Sequence, residues 1–243
     1  MRLWKDNIFF ILVEPREPGN IGACARAIKN MGFKNLELIN PAPFLTPEAK
    51  RMACNASDLL EKATVWTQLN NALKDKNLVI GTTRRVGKRR GLILPLKESV
   101  EKIVAASQKN KVAILFGRED KGLNNKEVEE CGLLIIIPSD PLLPSLNLAQ
   151  SVLLVAYELG VKTYNLPYPS LVKHEELENL YSHINSVLKL LEYIPKGNRD
   201  IEKRIMRNLK HLIGRGGLTE WEMRMIHGIC SQIEKRLRIS NIE

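Results

Sequence analysis

The residues best suited to chemistry lie in three stretches, each of which leaves a short apolar run. The first is Glu14-Pro-Arg-Glu-Pro-Gly-Asn-Ile-Gly-Ala-Cys-Ala-Arg-Ala, directly after Ile8 to Val13. Gly19 and Gly22, followed by small side chains, let a backbone turn sharply and a helix pack close to a sheet, as in dinucleotide-binding turns. Asn20 stands at or near the cap of that helix, which predicts Arg26 in its second turn, within reach of a ligand at the carboxyl ends of the strands. The second stretch, Val79-Ile-Gly-Thr-Thr-Arg-Arg-Val-Gly-Lys-Arg-Arg-Gly, ends a strand in Thr82 and Thr83. It then crowds Arg84, Arg85, Lys88, Arg89 and Arg90 into one loop, a density that suits a phosphodiester backbone. The third is Leu115-Phe-Gly-Arg-Glu-Asp-Lys-Gly-Leu-Asn, followed by Ile135-Ile-Ile-Pro138 and Pro144-Ser-Leu-Asn-Leu-Ala149. Its loops pass through glycine, proline and serine, so several turns can line one pocket.

The elements that must position these stretches follow from hydrophobic periodicity. Short apolar runs at Ile8 to Val13, Asn35 to Asn40, Leu78 to Thr82, Val112 to Phe116 and Leu133 to Pro138 alternate with helical patterns. This predicts an α/β fold, a mostly parallel sheet with helices on both faces. Helices are predicted at Ile21 to Met31, Ser99 to Ser107, from Asn124 to a stop at Gly132, and from Leu146 to about Leu159. The prolines of residues 165–170 mark a boundary between a domain at 1–164 and an extension at 171–243. The extension reads as three amphipathic helices, with stripes at Leu177 to Leu191, Ile201 to Leu212 and Met225 to Leu237.

Composition bounds the partners. A formal charge of +10 with a pI near 9.5 favours a polyanion, and the excess is spread over both parts rather than confined to a tail. Cys24, Cys54, Cys131 and Cys230 are scattered without a CxxC pair, which argues against a disulfide scaffold and a zinc site and favours a reduced, cytoplasmic setting. The apolar run after Arg2 and Lys5 is too short for a secretory signal and reads as a buried strand. No segment approaches the roughly 20 apolar residues of a membrane span. Trp4, Trp66 and Trp221 are isolated, so they read as packing residues rather than a base-stacking platform.

Taken together, the motifs resemble those of the SPOUT methyltransferases. Pro18-Gly-Asn-Ile-Gly-Ala-Cys-Ala-Arg26 looks like the first motif, Phe116-Gly-Arg-Glu-Asp-Lys-Gly-Leu123 the second, and Ile137 with Ser145-Leu-Asn-Leu-Ala149 the third. The segments from Arg207 to Ile213 and Ile226 to Ile229 are similar to the helical extension of the TrmJ-like tRNA 2′-O-methyltransferases. The resemblance implies a trefoil-knotted sheet, a homodimer with its pocket at the subunit interface, and S-adenosylmethionine as methyl donor with S-adenosylhomocysteine as product. It further implies tRNA as substrate, with methylation of the ribose of nucleotide 32. On that basis Thr82, Thr83, Arg84, Gly117, Ile137, Pro144, Ser145 and Leu146 hold the cofactor. Arg26 takes the catalytic role, supported by Asn20, Glu119 and Asn147, and the loop from Arg84 to Arg90 and Lys210 contact RNA, with no metal. As catalyst, Arg26 would bind the adjacent phosphate and the 2′-oxygen together and stabilise developing alkoxide. The competing readings are an NAD(P)-dependent oxidoreductase and an RNA-binding module without catalysis. The first lacks GxGxxG spacing, has Asn40 where the ribose-binding acid belongs and carries Glu37 mid-strand.

Overall fold

The computed structural model describes residues 4–85, 91–161, 168–194 and 199–240, with side chains to residue 237. Among these described residues seven parallel strands form one sheet: β1 (Ile8–Val13), β2 (Asn35–Ile39), β3 (Thr64–Trp66), β4 (Leu78–Thr82), β5 (Ile93–Pro95), β6 (Val112–Phe116) and β7 (Leu133–Ile136). Their spatial order is β3-β2-β1-β6-β4-β7-β5. Strand alternation fills both faces. Ile8, Phe10 and Leu12 point into a core shared with helices α1 (Pro18–Asn30), α5 (Leu96–Ser107) and α7 (Leu148–Gly160), while Ile11 and Val13 enter a second core with Leu73 and Val128. The remaining helices of the sheet domain are short: α2 (Pro47–Ala53), α3 (Ser57–Glu61), α4 (Leu69–Leu73) and α6 (Asn125–Glu129).

The parallel sheet covered on both faces is what the alternation of apolar runs predicts. The sequence pattern does not announce β3, β5 and helices α2 to α4, because runs of three to seven residues carry too little periodicity. Boundaries shift where caps override the apolar stripe. Asn147 accepts from the Ala149 amide at 2.8 Å and closes a capping box with Gln150, so α7 begins at Leu148 rather than Leu146. Pro18 occupies the first turn of α1, where its missing N–H costs nothing, so Asn20 lies inside the helix and Arg26 in its third turn, not its second.

Glu37 has a structural explanation. It is buried mid-strand and accepts from the Trp66 indole at 2.8 Å while pairing with Lys76 at 2.9 Å. The ammonium of Lys76 lies 4.1 Å from the centre of the Phe9 ring. An acid locked into this contact cannot serve a nicotinamide cofactor's ribose.

The extension consists of α8 (His174–Leu190), α9 (Arg199–Gly214) and α10 (Glu220–Ser240), and it docks on the sheet domain. Asn77 donates to the Leu171 carbonyl at 2.7 Å, the His174 amide donates to the Lys76 carbonyl at 2.8 Å, and Gly132 and Gly214 meet backbone to backbone. A Cβ on Gly132 would stand 1.9 Å from the Gly214 carbonyl oxygen, so only glycine permits this approach. Among the described residues, no helix is long and apolar enough to cross a membrane.

Candidate active site

The site is assembled by three neighbouring strands. β6, β4 and β7 lie side by side, and their carboxyl ends release Gly117, Thr83 and Ile137 into loops over one edge of the sheet. Open parallel sheets bind ligands at this edge. A cleft of about 800 Å³, counting its open mouth, lies there. Thr82, Thr83, Arg84, Gly117, Ile137, Pro144, Ser145 and Leu146 all line it. Phe116, Arg118, Leu123 and Ser151 line it too and were not singled out by the sequence. Phe116 and Leu123 carried the signal in their motif, but they read equally well as buried strand and turn residues.

Local chemistry fixes the loops. The Thr82 hydroxyl donates to the Leu115 carbonyl at 2.9 Å, tying β4 to β6, and the Thr83 amide donates to the Ile135 carbonyl at 2.9 Å, tying β4 to β7. Gly117 is a cradle: a Cβ there would stand 2.1 Å from the Gly122 carbonyl carbon. Gly122 has φ +66° and donates its amide to the Arg118 carbonyl at 2.8 Å, closing the turn. Arg118 clamps this turn from beneath. Its guanidinium reaches Glu14 at 2.7 Å and Glu127 at 2.9 Å, and these bonds, against some desolvation, hold its pKa above the usual arginine range. Hydrogen bonding from Arg118, outweighing burial, also lowers the Glu14 pKa, and Glu14 holds a left-handed φ of +46°.

At the mouth of the cleft the three motifs join through one chain of hydrogen bonds. Asn147 donates to Asn20 at 2.9 Å, and Asn20 donates to Glu119 at 3.2 Å. The backbone amide of Arg16 donates to the same carboxylate at 3.2 Å, and that of Glu17 at 3.4 Å. Asn20, Glu119 and Asn147 are thereby brought together. Arg26 is not. It is exposed on α1, away from the cleft lining, and donates to the Cys54 sulfur at 3.4 Å.

The expected RNA contacts divide. Arg84 and Arg85 are exposed on the cleft lip, whereas Lys88, Arg89 and Arg90 lie outside the described residues. Lys210 faces inward instead, pairing with Glu178 at 2.8 Å and Glu130 at 3.3 Å over the Tyr181 ring. His174 joins Glu130 at 3.1 Å. Glu130, His174 and Glu178 have metal-like spacing, but the Lys210 ammonium already supplies their cation. All four cysteines are free thiols.

A fully parallel sheet with a glycine-cradled cleft at its carboxyl edge defines an α/β cofactor-binding enzyme fold. Residues 7–157 match the SpoU rRNA Methylase family, and residues 175–241 match the tRNA methyltransferase TrmJ C-terminal domain. The chain belongs to the SpoU methylase family and carries the TrmJ-type extension. It is 34% identical to the tRNA (cytidine/uridine-2′-O-)-methyltransferase TrmJ of Pectobacterium atrosepticum, covering 95% of this chain and 98% of that one. It is also 34% identical to the tRNA (cytidine/uridine/adenosine-2′-O-)-methyltransferase TrmJ of Pseudomonas aeruginosa, covering 96% of both. The crystal structure of TrmJ from Z. mobilis superposes with a TM-score of 0.78 at 31% identity, over 93% of this chain and 98% of that one.

Proposed function

We propose that the chain transfers a methyl group from S-adenosylmethionine to a tRNA ribose 2′-hydroxyl, at nucleotide 32 of the anticodon loop, and does so as a cytoplasmic homodimer. The observation that carries this reading is the convergence of three separate loops on one glycine-cradled cleft, two of which the Glu119–Asn20–Asn147 chain ties to α1. The match to TrmJ-type proteins along nearly the whole length, extension included, supports tRNA as the substrate.

The cleft fits the cofactor. Gly117 lets its loop close against the Gly122 backbone and so shapes the cleft wall, Ile137, Leu146 and Leu123 supply apolar walls, and the ends of β4 and β7 offer backbone polar groups. S-adenosylmethionine supplies a methyl group bound to a sulfonium, ready for in-line displacement, and leaves as S-adenosylhomocysteine. The protein must then position the ribose hydroxyl, whose proton passes to the adjacent phosphate or to water as the oxygen–methyl bond forms and the sulfur–methyl bond breaks. Glu119, held by Asn20 and two backbone amides, fixes the loop beside the cleft, and Arg26 neutralises the developing alkoxide.

One protomer leaves Arg26 off its own cleft, so the neighbouring subunit delivers it. α7, packed beside α1, exposes Leu153, Leu154, Tyr157 and Val161, an apolar face suited to a two-fold contact. The deciding experiment is mass-spectrometric mapping of tRNA ribose methylation in cells with and without the gene, alongside transfer of labelled methyl in vitro. Loss of the methyl group at nucleotide 32 alone is expected. Unchanged methylation there would overturn the position, and no transfer to any RNA would overturn the activity.

A further inference from the structure

The extension holds a pair of histidines that lie outside the cleft. His183 on α8 and His227 on α10 bring their Nδ1 atoms to 2.7 Å. Their ring centres are 5.0 Å apart, which leaves just a ring radius on either side of the nitrogen contact, and the ring planes are inclined by only 29°. The two nitrogens therefore lie close to the line joining the ring centres, and the imidazoles meet edge to edge. The apolar cluster of Val172, Leu177 and Tyr181 reaches Leu218 and Met223 at the start of α10, and the histidine contact follows a turn further along.

One facing nitrogen has to donate and the other accept, because two bare nitrogens repel and two N–H groups collide at this distance. Glu234 decides which. Its carboxylate lies 3.5 Å from His183 Nε2 and draws the N–H of that ring to the far side, so His183 Nδ1 accepts and His227 Nδ1 donates. Of the other titratable groups near the pair along these helices, the Cys230 thiol is buried, and burial with the Glu234 charge pushes its pKa up. Arg224 is engaged by Glu220, Lys189 by Glu202 of α9, and Lys210 of α9 by Glu130 and Glu178, while Glu176 caps the start of α8.

Counting protons gives the consequence. The closed pair takes one extra proton on His227 Nε2 without losing the contact. A second would have to enter at His183 Nδ1, the acceptor, and set two N–H groups against each other. Separated rings face no such limit and take both protons below the ordinary imidazole value of about 6.5. Opening thus binds one more proton than the closed state holds. The contact's contribution is present above that value and is lost as pH falls through it.

We propose that the His183–His227 contact is a proton-operated latch, which holds α10 against α8 at neutral pH and releases α10 on acidification. The latch does not rest on the methyltransferase reading, and it stands or falls without RNA or cofactor.

Its test follows hydrogen exchange of the α10 amides in the full-length protein from about pH 7.5 to about 5.5, for wild type and His227→Gln. After correction for the intrinsic pH dependence of exchange, wild type should lose α10 protection by up to about tenfold per pH unit below about 6.5, as uptake of one proton requires, while the sheet strands keep theirs. A glutamine amide can turn either its NH2 or its oxygen toward His183, so His227→Gln should hold α10 with little dependence on pH. A second measurement needs no variant. At neutral to mildly basic pH, ring-nitrogen NMR of wild type should show scalar coupling between the two Nδ1 atoms across the shared proton. Flat α10 protection in wild type, the same pH-dependent loss in His227→Gln, or absence of that coupling would each overturn the latch.

Discussion

A methyl group on Gly117 would press against the Gly122 backbone at 2.1 Å, and no flexible side chain is there to yield. Gly117→Ala must therefore spread the turn that shapes the cleft, at a cost of about 1–3 kcal/mol for a forced backbone shift. Arg26 tests the opposite case, because it lies off the cleft lining. Gly117→Ala should weaken S-adenosylmethionine binding by roughly tenfold to a hundredfold in calorimetry. Arg26→Ala should leave that affinity alone while cutting methyl transfer by about 10²–10³. Near-normal turnover in both Arg26→Ala and Arg26→Lys would remove the arginine from the chemistry. Gly117 is legible from sequence because a glycine between a buried strand and a charged turn has few other uses. The inward turn of Lys210 is not legible, since Glu130 and Glu178 lie far from it along the chain.

At the scale of elements, the join between sheet domain and extension depends on Glu130, which links the end of α6 to α8 and α9 through His174 and Lys210. Burial raises its pKa, but the His174 hydrogen bond and the Lys210 charge prevail and lower it. A carboxylate whose folded pKa is depressed contributes stability above its ordinary value of 4.5 and loses it as pH falls through the lowered value. Hydrogen exchange on acidification should therefore show α8 and α9 losing protection before the sheet strands, and Glu130→Gln should show this loosening already at neutral pH. Equal loss everywhere, or an unaffected variant, would show that Glu130 does not govern docking. The helices of the extension are written in the sequence as amphipathic stripes. What their apolar and charged faces meet is not, because Gly132 against Gly214 pairs residues with no shared local pattern.

For the whole molecule, Arg26 lies off the cleft and α7 exposes an apolar face, so the proposed dimer is open to direct test. Leu154→Glu with Tyr157→Glu should yield monomers in sedimentation experiments and abolish methyl transfer. A mixture of Arg26→Ala and Gly117→Ala proteins, assayed with S-adenosylmethionine too dilute to load the altered cleft, should recover about a quarter of wild-type activity, because random exchange makes half the dimers mixed and each holds one complete site. No recovery in verified mixed dimers would place Arg26 in cis.

By itself the sequence determined the parallel sheet, since fully apolar strands separated by helical stripes have few other ways to bury both faces. It also determined which loops bear the cleft, because glycine, proline and hydroxyl residues at strand ends are costly elsewhere and useful there. Only the tertiary structure decided that β6, β4 and β7 stand side by side, bringing Gly117, Thr82 and Ile137 to one cleft from distant points of the chain. It also decided that Glu37 belongs to Lys76, that Lys210 faces inward, and that His183 of α8 meets His227 of α10. The physical reason is the range of the interactions: propensity and periodicity act over a few residues, whereas strand order and ion pairing are settled when remote segments pack.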